Sequence, residues 1–489
     1  MMTRLATPLM LVTVAFALAR LVSLPLVAQP GYTDAYYYAN VAARLAHGQG
    51  LTADFVWSFL EAPDLAPLPV PSHRFWKPLA TVVQAIGIAV FGPLLGDFRA
   101  GQIPLVIVAC FLPPLAYALA RALGITERAA LAAAAIVGAG GLFAPAWVTA
   151  DAFALAAGLG AAFFLLYRRA AEGSVRDGAL AGLAVGLLYL ARAEAALFGL
   201  ALLALAARPA TRRAGLAGSA VALAIGVAWL ARDLAAGPTE SLLGRSALIT
   251  RYEEFFALAP PDPTRLLADP GAFLATRASA LAANALAAVA VLLLFLLPPL
   301  ALGLRGAWRR PEVRAFAALA LAVYLAESIA FPLHSVRGSY DHSLAAFFPM
   351  AVALSAAGAD GLLTPRAARL AITAAVTAFV LIGATAVWQW DATFNSAYRD
   401  RVASLAAIPP GPFMAIDAAA WRWISGRTVL VTPSEGAAAA SCVAAAYGAS
   451  TIVLEPAHFA AYDALYGSGP GVKIVTSDRS LCPPRALAR

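Results

Sequence analysis

The sequence predicts an α-helical polytopic membrane protein with a small C-terminal α/β domain outside the cytoplasm. Three observations carry that fold class. Hydrophobic residues make up 61% of the 489 residues and charged residues 13%, against about 45–50% and about 25% in soluble domains. Apolar runs of about 20 residues, long enough to cross about 30 Å of hydrocarbon, recur as far as residue 390. Between them lie small arginine clusters, such as Arg168/Arg169/Arg176 and Arg305/Arg309/Arg310/Arg314, the pattern that marks cytoplasmic loops. A soluble globule of this composition would expose large apolar patches.

The net charge is +8, yet Lys occurs only at positions 77 and 473. The arginines form neither a tail nor one patch, so no nucleic-acid partner is expected. The N-terminal run, residues 8–28, is long enough to span and is read as an uncleaved first helix rather than a signal peptide. Further spans are expected near 101–120, 129–147, 150–167, 178–191, 194–207, 214–232, 280–304, 313–331, 342–360 and 368–388. Residues 178–207 fit either two short helices or one long broken one, because Arg192 and Glu194 divide them.

Charge orients this set of about 11 helices. With the N-terminus in the cytoplasm and 29–100 as a single extracytoplasmic loop, every arginine cluster falls on the cytoplasmic side. A span at 78–92 would reverse all the later clusters. Its fifteen residues would also reach only about 22 Å as a helix, so it is expected to lie in the outer interface. The C-terminus then lies outside. Residues 1–390 form the membrane domain. Residues 391–489 carry strand-like runs at 427–431, 451–454 and 473–476 between Ala-rich helical stretches and Gly/Pro turns. Cys442 and Cys482 fall in that segment and are expected to pair in an oxidising compartment.

Several ionisable residues gather on the outer side of this topology. Asp34 sits in Thr33-Asp34-Ala35-Tyr36-Tyr37-Tyr38 at the start of a helix-like stretch, either as a plain N-cap or as a functional acid. The same loop holds Trp57, His73, Arg74, Trp76 and Lys77. These are either interfacial anchors or the cations and aromatics that a phosphate-bearing, sugar-bearing lipid needs. Asp151, the Arg192/Glu194 pair and the cluster His334, Arg337, Tyr340, Asp341, His342 reach the same face. Ionisable groups at the ends of spans can be solvated loop residues, whereas those inside spans are usually functional. Trp421, Trp423, Tyr447, Tyr462 and Tyr466 are expected to be core and docking residues of the terminal domain, with an acceptor-binding surface as the other reading.

In this order along the chain the motifs resemble the integral-membrane glycosyltransferases of the GT-C superfamily, near the family 39 protein mannosyltransferase and aminoarabinose transferase branch. Thr33-Asp34-Ala35-Tyr36-Tyr37-Tyr38 with Arg44-Leu45 is similar to their first-loop acid. His73-Arg74-Phe75-Trp76-Lys77-Pro78-Leu79 is similar to the stretch opening their interfacial helix. Thr149-Ala150-Asp151 resembles their second-loop acid, and Leu190-Ala191-Arg192-Ala193-Glu194 a later turn. Ala228-Trp229 with Arg232-Asp233, and Tyr340-Asp341-His342-Ser343, complete the set. Ala228 and Asp233 depart from the family pattern. The resemblance covers roughly residues 5–390.

The resemblance implies transfer of a sugar from a polyprenyl phosphate to an envelope lipid, glycan or protein acceptor at the extracytoplasmic face of a bacterial inner membrane. Asp34 and Asp151 would then be catalytic. Asp34 would act as general base or, with Asp151, hold a divalent metal ion. His73, Arg74, Lys77, Arg192, Glu194, Arg337 and His342 would bind substrate, the cations stabilising the leaving phosphate. A secondary transporter or a non-enzymatic envelope-assembly protein is the competing class. Charges at the outer ends of spans, rather than at mid-membrane, count against the transporter.

Overall fold

The structure, a computed structural model, describes residues 2–237, 242–361 and 364–482. Helix α1 (Met2–Ser23) leads into α2 (Thr33–Ala46) and a short two-stranded ribbon, β1 (Thr52–Ala53) with β2 (Val70–Pro71). Helix α3 (Leu79–Cys110) reverses at Gly96, whose φ of 71° suits glycine and few other residues. Its two arms touch backbone to backbone: a Cβ on Gly87 would lie 2.3 Å from the Ala100 carbonyl oxygen. The expected division between 78–92 and 101–120 is therefore real. Ile86, Val90 and Leu94 form an exposed apolar stripe on the first arm.

Next come α4 (Leu112–Ala122), α5 (Glu127–Ala139), α6 (Phe153–Ala171), α7 (Val175–Ala191), α8 (Gly199–Ala206) and α9 (Arg212–Ala235). Arg192 is extended (φ −148°, ψ 125°) and breaks the chain between α7 and α8, so 178–207 is two short helices. The run 129–147 is not one helix. It stops at left-handed Gly140, where a Cβ would lie 2.3 Å from the Trp147 indole nitrogen.

The chain continues through the short α10 (Leu242–Leu248) and α11 (Arg265–Ala268) to α12 (Pro270–Val291), α13 (Leu297–Ala307), α14 (Pro311–Ala330), α15 (Pro332–His334), α16 (Tyr340–Asp360) and α17 (Pro365–Trp390). The run 280–304 is likewise two helices. Leu293 and Leu294 take positive φ of 51° and 50°, and Pro298 and Pro299, which lack N–H donors, begin the next helix. Seven helices among the described residues are long and apolar enough to cross a membrane, judged by length and composition. Helices α5, α7 and α8, of 13, 17 and 8 residues, are shorter than that.

Beyond α18 (Ser396–Ser404) lies a four-stranded sheet of β3 (Phe413–Ala415), β4 (Val429–Val431), β5 (Thr451–Leu454) and β6 (Lys473–Thr476), in the order β4-β3-β5-β6. The first three strands are parallel and β6 is antiparallel. Helices α19 (Ala418–Ser425), α20 (Ala437–Tyr447) and α21 (Asp463–Tyr466) connect them. Three of the strands lie where the sequence reading put them. The three-residue β3 is too short to leave a period-2 pattern.

Cys442 and Cys482 are disulfide-bonded. Trp421 and Tyr462 are fully buried, and the Tyr447 hydroxyl donates to the Ala66 carbonyl at 2.7 Å, so these aromatics are core and docking residues. The sheet and the first loop share one hydrophobic core. Val56 hydrogen-bonds through its backbone to Val429 and Val431 at the sheet edge. Asp54 pairs with both Arg44 at 2.8 Å and Arg422 at 2.7 Å.

Candidate functional site

Helix α2 begins at Thr33 with Tyr32 as its N-cap, so Asp34 is a first-turn residue and not the cap. Residues 35–42 of α2 are all buried. Asp34 lines two cavities at once. One, of about 190 Å³, is walled by Tyr38, Lys77, Arg192, Glu194, Glu327 and Arg337. The other, of about 1130 Å³, is walled by Tyr32, His342 and Asp341 on one side and by Arg401, Asp417 and His458 near the sheet on the other. Asp34, Trp57, Trp76, Tyr252 and Arg337 belong to both. Burial pushes the Asp34 carboxyl up to about 6; the nearby Asp151 adds to this, while His342 and Arg192 oppose it.

Asp151 lies behind Asp34. Its Oδ1 accepts the backbone N–H of Ala152, and its Oδ2 accepts the Tyr32 hydroxyl and His342 Nε2, the latter at 2.8 Å. The other ring nitrogen of His342 faces the Gly338 carbonyl at 2.8 Å, and the ring stacks on Phe153 with centroids 3.8 Å apart. Both nitrogens thus face oxygens, an arrangement satisfied by the imidazolium. These bonds take up three of the roughly four acceptor positions of the Asp151 carboxylate. Among the described residues no group of three or more His, Cys, Asp or Glu is arranged to hold a metal ion.

Arg192 donates to Glu194 Oε1 at 2.7 Å and to the Ser339 hydroxyl at 2.7 Å. The Ser343 hydroxyl lies 2.6 Å from Glu194 and 2.7 Å from Glu327, tying α16 to α14 and to the turn after α7. Lys77 lies 3.9 Å from Asp233 and beside the rings of Tyr189 and Trp229; burial lowers its pKa, with Asp233 opposing. Arg337 stacks on Tyr252 at 4.6 Å and makes no ion pair among the described residues.

Two expected substrate contacts stand elsewhere. His73 is fully buried at a positive φ of 65° against Tyr37 and Tyr38. Burial pushes its pKa down to about 3, which keeps it neutral. Arg74 donates to the Ala236 and Gly237 carbonyls and lines neither cavity. Within the loop, the Tyr37 hydroxyl accepts from the His73 backbone N–H and donates to buried Glu61 at 2.8 Å. Motif reading does not reach Tyr252 or Glu327, and it carries Tyr38 only as a neighbour of Asp34. Glu327 does carry a sequence signal, an acid within an apolar span.

No protein-family model matches the chain, and neither does any curated protein sequence. Solved structures do match it. ArnT from Cupriavidus metallidurans in the apo state superposes with a TM-score of 0.61 at 14% identity, covering 98% of this chain and 99% of that one. The same protein bound to undecaprenyl phosphate gives 0.58 at 15% identity, covering 97% and 99%. The apo oligosaccharyltransferase of Archaeoglobus fulgidus gives 0.58 at 15% identity, covering 92% of this chain and 69% of that one. The architecture is therefore the membrane fold of the GT-C glycosyltransferases. At these identities the likeness speaks for the fold.

Proposed function

We propose that this protein is a membrane glycosyltransferase that moves a sugar from a polyprenyl-phosphate donor to an acceptor at the extracytoplasmic face of a bacterial inner membrane. The observation that carries the reading is Asp34 standing where the two cavities meet. The smaller cavity has Lys77 and Arg337 for the donor's phosphate; the wider one has room for an acceptor. The fold supports this reading, because one structure of that fold holds undecaprenyl phosphate.

The acceptor hydroxyl attacks the anomeric carbon and its O–H proton passes to Asp34. The C–O bond to phosphate breaks, and the polyprenyl phosphate leaves with the electron pair, its charge met by Lys77 and Arg337. Asp151 and His342 orient this centre, and the Arg192–Glu194 pair fixes the cavity wall. The arginine clusters support an N-terminus in the cytoplasm, about 11 crossings and an outer interfacial first arm of α3, with residues 391–482 outside. Ionisable residues gathered at one face favour transfer over alternating access.

The test is to delete the gene, restore wild type or Asp34→Asn, and compare envelope glycolipids, glycans and glycoproteins by mass spectrometry. A sugar that vanishes on deletion and returns only with wild type is the expected result. Full restoration by Asp34→Asn would overturn the reading.

A further inference from the structure

Besides the Trp57 indole nitrogen, three buried polar groups around the smaller cavity have no hydrogen-bond partner among the described residues. They are the Tyr38 hydroxyl, Glu327 Oε2 and both ring nitrogens of His334. Tyr38 is 1% exposed, Glu327 2% and His334 8%. They come from separate elements, α2, α14 and α15. Leaving such groups unsatisfied costs about 1–3 kcal/mol each, and native interiors hold few of them. Here they collect around one cavity beside the group proposed as base.

Their chemistry describes a ligand. Glu327 Oε1 already accepts from Ser343 at 2.7 Å, so Oε2 is left to accept an O–H or N–H. The Tyr38 hydroxyl can donate or accept, and a neutral imidazole offers one donor and one acceptor. A phosphate, which only accepts, would be repelled by Glu327. A ring bearing several hydroxyl or amino groups satisfies all three. Lys77 and Arg337 line the same cavity and supply the cations a phosphate needs.

Building on the glycosyltransferase reading, we infer that Tyr38, Glu327 and His334 form the pocket that reads the donor's sugar. Glu327 Oε2 accepts from a hydroxyl or amino substituent of the ring, while Lys77 and Arg337 hold the phosphate. Removing the hydrogen-bonding substituent from the sugar, or the carboxylate from the protein, then weakens the same contact.

The full-length protein in nanodiscs tests this. Wild type, Glu327→Gln, Glu327→Ala and Tyr38→Phe are compared for thermal stability, for binding of undecaprenyl phosphate, which carries no sugar, and for transfer from polyprenyl-phosphate-linked pentoses, hexoses, amino sugars and deoxy analogues. The expected result is undecaprenyl-phosphate binding within about twofold of wild type and transfer lowered about tenfold or more. That loss should be smallest for the deoxy analogue that wild type itself uses poorly. The amino-sugar and hydroxy-sugar arms identify which donor group Glu327 accepts from. Transfer unchanged in all variants overturns the inference, leaving water as the partner. Equal loss of transfer and of undecaprenyl-phosphate binding also overturns it, making Glu327 a brace. If Glu327→Ala does not fold, Glu327→Gln and Tyr38→Phe decide. A wild type that transfers from none of the donors overturns the glycosyltransferase reading itself, and this inference with it.

Discussion

At the scale of residues, the site turns on which charges are free and which are already spoken for. Asp34 is placed as a base whose carboxyl is pushed up to about 6 by burial. A base works when deprotonated, so kcat/KM should fall as pH drops through about 6 and level off above it; a pH–rate profile of the purified protein checks this. Asp34→Asn should lower transfer by about 10²–10⁴-fold and leave thermal stability near wild type. Arg337, stacked on Tyr252 without an ion pair among the described residues, should matter for the lipid phosphate: Arg337→Ala should weaken undecaprenyl-phosphate binding about tenfold or more. His73→Ala should act the other way, lowering the melting temperature while sparing that affinity, because His73 is buried in the aromatic core away from the cavities. The Asp34, Asp151, Lys77, Arg192, Arg337 and His342 neighbourhood was legible in sequence as acids and cations on one predicted face. The displacement of His73 and Arg74 was not, because it depends on which way a loop turns over Tyr37 and Glu61.

At the scale of elements, glycine sets how closely the helices approach. A Cβ on Gly182 in α7 would lie 2.1 Å from the Gly218 carbonyl oxygen of α9, and one on Gly178 2.3 Å from that of Ala214. Small residues at helix contacts let backbones pack where lipid offers no hydrophobic drive between helices. Gly182→Val should therefore destabilise by about 1–3 kcal/mol, read as a lower melting temperature in detergent, with no change in the pH profile. The same scale explains the two runs divided unexpectedly. An apolar stretch such as 280–304 has no periodicity with which to mark an interruption. The breaks at Gly140 and Leu293–Leu294 reflect the Trp147 ring and the Pro298–Pro299 start of the following helix.

At the scale of the whole molecule, the C-terminal sheet is built into the first loop: Val56 joins β4, Arg422 pairs with Asp54, and one core runs beneath both. This union puts Asp417 and His458 on the wall of the wider cavity. The Cys442–Cys482 disulfide closes the last 40 residues of that sheet region, so Cys442→Ser should cost about 2–4 kcal/mol, seen as a lower melting temperature that wild type reproduces in reductant. A C-terminal alkaline phosphatase fusion should be active if the proposed topology holds, since that enzyme needs its disulfides.

The sequence by itself determined a helical membrane chain, the strands at 451–454 and 473–476 and the cysteine pair. Those follow from composition, periodicity and spacing, which are local properties. Only the tertiary structure decided that Asp34 joins two cavities, that Asp151 is bound by Tyr32, Ala152 and His342, and that the Tyr38 hydroxyl, Glu327 Oε2 and the His334 ring nitrogens border a shared space with no hydrogen-bond partner among the described residues. These depend on groups up to hundreds of residues apart in sequence, and a local pattern carries no record of what packs against it.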